Sequence, residues 1–182
     1  MPETGVLKSL IQGTLPKSVR FIAARGLAPL EPGDALEALV HLCKDPDQEV
    51  SRTASQTLLH WPEEEVIAQV QNHGCGPAVL RHFALESGSE AVLEAIILNP
   101  TTPGDIIINL ASKVKGPLLE AILYNRIRLL DTPEILSELK LNPRLTPEAR
   151  RIVQEIEHEF FGNKRKEYTL SAPAVEAREP EA

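Results

Sequence analysis

Apolar residues recur along this chain at three- and four-residue intervals, in short runs that are repeatedly interrupted. Leu36, Leu39, Val40 and Cys43 form an i, i+3, i+4, i+7 stripe, the pattern of one buried helical face. Val19, Ile22 and Ala23 make a smaller set between Pro16 and Gly26, with Gly26 placed to end it as a C′ glycine. Val50, Ala54 and Leu58 follow the break at Asp45-Pro46-Asp47 and end at His60-Trp61-Pro62. Val66, Ile67 and Val70 come next, then Val79, Leu80 and Phe83 after the break Asn72 to Pro77. The most regular stripe is the last: Ala149, Ile152, Val153, Ile156 and Phe160. No segment sustains the two-residue alternation of a strand. Ile106-Ile107-Ile108 is the one strand-like run, and its place just behind a Thr-Pro pair predicts helix.

The interruptions carry as much information as the stripes. Asn99-Pro100-Thr101-Thr102-Pro103, Asp131-Thr132-Pro133 and Asn142-Pro143-Arg144-Leu145-Thr146-Pro147 each close one apolar run and open another. Threonine is a good N-cap, and proline suits the first helical position, where its missing N–H costs nothing. Glu63, Glu64 and Glu65 directly follow Pro62, so they are expected in a first helical turn, complementing the helix dipole.

The runs before these marks resemble one another. Val92 to Asn99 (VLEAIILN) aligns with Leu118 to Asn125 (LLEAILYN), and Ile135 to Asn142 (ILSELKLN) is a looser third copy. The middle copy is irregular, because Arg126-Ile127-Arg128-Leu129-Leu130 stands before its Asp131-Thr132-Pro133. About ten short helices in series predict an all-α, right-handed α-solenoid, in which each helix covers its apolar face on its sequence neighbours. The expected repeat domain runs over residues 1–162, followed by a basic cluster and a disordered Pro/Ala/Glu-rich tail at 163–182.

Two stretches resemble known α-solenoid families. Asp45 to Leu58 is similar to the second-helix region of a HEAT-like repeat, with Asp before the helix and Val and Ala facing the core; Arg52 is displaced by one position from the basic residue often found there. Asn99-Pro100-Thr101-Thr102-Pro103, continuing to Ile107, Leu110 and Ala111, resembles the leucine-rich repeat variant, a bacterial repeat of alternating short helices. The resemblance spans roughly residues 30 to 160. It implies a non-catalytic surface that holds protein partners. The iron–sulfur cluster found in one leucine-rich repeat variant protein belongs to a separate Cys-rich segment that nothing here matches, so no cofactor is expected.

Composition narrows the function classes. The chain has 182 residues, a formal net charge of −7 and only 4% aromatic residues. Phosphate neutralisation supplies most nucleic-acid affinity, so an acidic chain poor in aromatics makes nucleic acid an unlikely partner. The apolar stretches fall far short of the roughly 20 residues of a membrane-spanning helix. With two cysteines and no basic, apolar leader, a reducing cytoplasm is the expected location.

Candidate chemistry is sparse. His41-Leu42-Cys43 and His73-Gly74-Cys75 supply four metal-ligand types, but residues two apart on a helix point in nearly opposite directions, so no metal site is expected. Cys75 precedes a helix start, where a thiol can be activated, yet only His73 is near in sequence to serve as base. Lys164, Arg165 and Lys166 are candidates for anion binding, set against a dipole and solubility role. Trp61, Arg126, Arg128 and Leu129 are the candidate partner-binding residues. The expected function is a protein–protein interaction scaffold or adaptor. The alternatives are a HEAT-like enzyme or glycosylase-like nucleic-acid module, and one interaction module of a larger assembly.

Overall fold

The computed structural model describes residues 3–160 and Gly162. The expected tail at 163–182, including Lys164, Arg165 and Lys166, lies outside the described residues. Among the described residues the chain is all-helical: α1 (Glu3–Ile11), α2 (Lys17–Ala24), α3 (Pro32–Leu42), α4 (Gln48–Leu59), α5 (Glu63–Gln71), α6 (Pro77–Glu86), α7 (Glu90–Leu98), α8 (Gly104–Ala111), α9 (Gly116–Tyr124), α10 (Arg126–Asp131), α11 (Glu134–Leu141) and α12 (Pro147–Phe160). There are twelve helices among these residues where about ten are expected from the pattern. The two additions are α1, which buries Leu7 and Leu10, and α10, which occupies the irregular stretch before Asp131. Ile106 to Ile108 is helical, within α8.

The main contacts join helices at most three apart in chain order. α1 packs on α3, α2 on α3 and α4, and α3 on α4, α5 and α6. α5 packs on α7, α6 on α7 and α8, and α7 on α9. α8 then meets α9 and α11, while α12 closes on α9 and α11. The expected stripes mostly face this interior: Leu36, Leu39 and Val40 of α3, Val50, Ala54 and Leu58 of α4, and Ala149, Val153 and Ile156 of α12 are buried. One continuous aliphatic core runs from Leu7 to Ile156.

The stripe in α2 differs. Val19 and Ile22 are 39% and 49% exposed, and the buried residues are Ala23 and Ala24. The small face lets α2 approach closely, so that the Thr57 hydroxyl of α4 donates to the Ala24 carbonyl at 2.7 Å. Arg20 anchors the same helix through a two-point pair with Asp45, at 2.7 and 3.2 Å.

Helix starts follow varied chemistry. Asp47 caps α4 by accepting from the N–H groups of Glu49 and Val50, and Ser89 caps α7 by accepting from Val92. The Glu63-Glu64-Glu65 run occupies the first turn of α5. Of the three Thr-Pro marks, only Thr146 caps as expected, accepting from the Ala149 N–H at 3.1 Å. Thr102 is buried, and its hydroxyl donates to the Ile96 carbonyl at 2.7 Å. It closes the end of α7 rather than opening α8.

The asparagines of the breaks are the structural centre of these turns. Asn99 and Asn142 are buried. The Asn99 amide donates to the Val70 and Asn72 carbonyls at the end of α5, and the Asn142 amide donates to Ala111 and Val114 at the end of α8. Their Oδ1 atoms accept from the N–H of Thr101 and Arg144, both at 2.8 Å. Each asparagine therefore binds carbonyls that a helix end leaves without partners.

Candidate partner-binding surfaces

Trp61 lies between the C-cap of α4, His60, and the N-cap of α5, Pro62. Gly26 reaches a φ of +71° at the end of α2, a conformation glycine adopts without strain. A Cβ built there would sit 3.4 Å from the Thr57 methyl and 3.7 Å from the Trp61 ring, in ordinary contact distance. The indole is half-buried, and its N–H is covered by protein without a protein acceptor. Beside it opens a groove of about 860 Å³ lined by Arg25, Thr53, Gln56, Leu59, Trp61 and Glu65, among others. Leu59 is 80% exposed on its wall. The groove thus offers an apolar surface with charged, amide, hydroxyl and imidazole groups around it.

The irregular stretch before Asp131 is a helix with a defined job. Leu129 of α10 is fully buried, so this candidate contact residue belongs to the core and does not face a partner. Its burial follows from the short helix Arg126–Asp131 that these residues form, which packs on α11 and puts Leu129 into the core. Arg128 is half-buried. Its Nη2 donates to the Asn99 carbonyl at 2.8 Å and its Nη1 to the Ile97 carbonyl at 3.5 Å. Burial lowers its pKa from the ordinary arginine value. Arg128 therefore ties α10 to the negative end of α7. Arg126 is exposed, 3.9 Å from Glu159. Ile127 is 76% exposed.

Among the described residues, no group of three or more His, Cys, Asp and Glu is placed to hold a metal ion. Cys43 is half-buried, and its sulfur accepts from the Ser55 hydroxyl at 3.5 Å. Cys75 lines a small cavity of about 150 Å³ with Glu37, Asn72 and Gly76. Burial, with the nearby Glu37 carboxylate, pushes its thiol up to about 11. A thiol held protonated is a poor nucleophile.

The sequence pattern did not single out one further surface. Leu98 and Tyr124, the last residues of α7 and α9, are 59% and 69% exposed. The only signal was their place next to Asn99 and Asn125, at the very ends of their helices. No protein-family model, curated protein or solved structure matches this chain.

Proposed function

We propose that this chain is a non-catalytic α-solenoid scaffold that binds another protein, and that the groove at Trp61 is its principal docking site. The observation carrying the reading is a half-buried tryptophan beside an exposed leucine in an open groove. Tryptophan on a partly desolvated surface is the residue type most enriched among binding hot spots. Helices that pack mainly on near neighbours in chain order support the solenoid part of the proposal. The acidic balance favours protein over nucleic acid as the occupant.

The test uses a photo-cross-linking side chain at Gln56 in the full chain. The expected result is a defined cross-linked protein from the source cells. Capture should be lost in Trp61→Ala and Leu59→Ser chains that keep their helical circular dichroism. Capture that survives both substitutions, or catalytic turnover by the purified chain, would overturn the proposal.

A further inference from the structure

Among the described residues, the indole N–H of Trp61 is the one buried side-chain nitrogen or oxygen without a hydrogen-bond partner. Other donors lining the same groove are already committed. The Thr53 hydroxyl donates to the Glu49 carbonyl at 2.7 Å, and the Thr57 hydroxyl to the Ala24 carbonyl at 2.7 Å. His60 Nδ1 lies 2.8 Å from the Gln56 carbonyl, so that nitrogen carries the proton and donates it there. Trp61 thus stands apart: a donor in want of an acceptor, on a ring that borders an open groove.

A covered donor without an acceptor costs free energy, and a bond to a ligand atom recovers it. Rotation of a half-exposed ring about its side-chain bonds is fast and brings the N–H to an acceptor lying in the groove. Which partner segments supply such an acceptor follows from where free carbonyls are found. A helix ties its carbonyls into its own i to i+4 ladder, so its apolar face has none to give. A polyproline II segment has no internal hydrogen bonds and leaves its carbonyls open. Proline also brings no N–H, so it leaves no donor of its own unpaired against the wall, and its apolar ring suits the exposed Leu59 and the indole face. Arg25 and Glu65 put one fixed charge of each sign in the lining, which favours a neutral segment over a strongly charged one. We propose that the Trp61 groove takes a proline-rich, polyproline II segment of the partner protein, held by a hydrogen bond from the Trp61 indole to a backbone carbonyl. This rests on the groove being the docking site and adds the conformation and chemistry of what docks there.

Trp61 is the chain's single tryptophan, so tryptophan emission reports this ring alone. The probes are a labelled peptide of Pro, Leu and Ala and, beside it, an amphipathic helical peptide of Leu, Gln and Ala. The full chain is expected to shift its emission saturably with the first peptide and not with the second. By fluorescence anisotropy, Trp61→Phe should weaken the proline-rich peptide about fivefold to tenfold, the loss of one hydrogen bond, with circular dichroism and the urea midpoint nearly unchanged. Leu59→Ser should weaken it as well. Unchanged affinity in the Phe variant would remove the indole bond and overturn the proposal. Equal or tighter binding of the helical peptide would overturn it too, while leaving the groove a docking site. Binding seen only after residues 163–182 are removed would make the chain's own segment the occupant, again against the proposal. If neither peptide binds, the proposal fails, and the Gln56 cross-link remains the separate test of the groove itself.

Discussion

The guanidinium of Arg128 donates to the backbone carbonyl of Asn99 at 2.8 Å, joining α10 to the end of α7. Asn99 in turn reaches back to the carbonyls of Val70 and Asn72. The ends of α5 and α7 and the short helix α10 are thus linked in series by one amide and one guanidinium. Hydrogen bonds from a charged donor contribute about 1.5–3 kcal/mol each. Arg128→Ala is expected to destabilise the fold by about 1–3 kcal/mol, the lower figure allowing for partial exposure. Arg128→Lys should recover little, because an ammonium cannot span both carbonyls as a planar fork does. Urea unfolding of the three proteins decides it; equal midpoints would show that Arg128 is structurally idle.

Asn142 is the more deeply buried of the two linking asparagines, with three bonds to backbone groups. Asn142→Ala leaves two carbonyls and one N–H without their partner, at a cost of about 2–4 kcal/mol. Asn142→Asp should be worse at neutral pH, since its carboxylate would face the Ala111 and Val114 carbonyl oxygens. That acid would have a raised pKa in the folded state, so the Asp variant should regain stability as pH falls. Thermal melts at two pH values would reveal the trend, and a variant that weakens further on acidification would contradict it.

The covered indole N–H of Trp61 lacks a protein acceptor. Trp61→Phe removes that polar group and keeps most of the apolar contact. It is expected to be near neutral, while Trp61→Ala should lose about 2–4 kcal/mol of packing. A Phe variant as unstable as the Ala variant would show that the indole's shape, rather than its apolar area, holds the turn.

His82 is half-buried and meets the Phe83 ring edge-on at 5.2 Å. Burial lowers its pKa, Lys44 adds to the effect, and Glu86 opposes it. The folded state therefore binds this proton less readily than the unfolded chain, whose histidine titrates near 6.5. The contribution is present above the unfolded pKa and is lost as pH falls through it toward the folded value. Stability should decline on acidification below about pH 6.5, and His82→Gln should remove that part of the slope. A slope unchanged in the variant would assign it to other groups.

With its thiol held near 11, Cys75 should resist alkylation. Iodoacetamide at pH 8 is expected to label it far more slowly in the folded chain than in urea. Peptide mass mapping separates Cys75 from Cys43. Equal rates in the two states would show that the small cavity opens freely.

Much of the helix segmentation was legible because the signals are local. The stripe of α3, the regular face of α12 and the Asp47 cap each depend on residues within a few turns. The helical reading of Ile106 to Ile108 rested on the same footing. Local rules also misread some positions. Thr102 is of a capping residue type, but the N-cap of α8 is Pro103, and the Thr102 hydroxyl donates instead to the Ile96 carbonyl. Val19 and Ile22 have helical spacing, yet the approach of α4 favoured the small face of Ala23 and Ala24.

The sequence by itself determined that this chain is helical, where most of its helices begin and end, and which faces are apolar. Those are properties of a 3.6-residue period and of capping groups a few residues away. Only the tertiary structure decided that Leu129 is core while Leu98 and Tyr124 are surface, and that Asn99, Arg128 and Asn142 bond carbonyls about thirty residues distant. An apolar residue at a helix end is inside or outside according to which neighbour packs over it. A buried amide finds its acceptors only where another helix happens to end. Neither fact is encoded at short range.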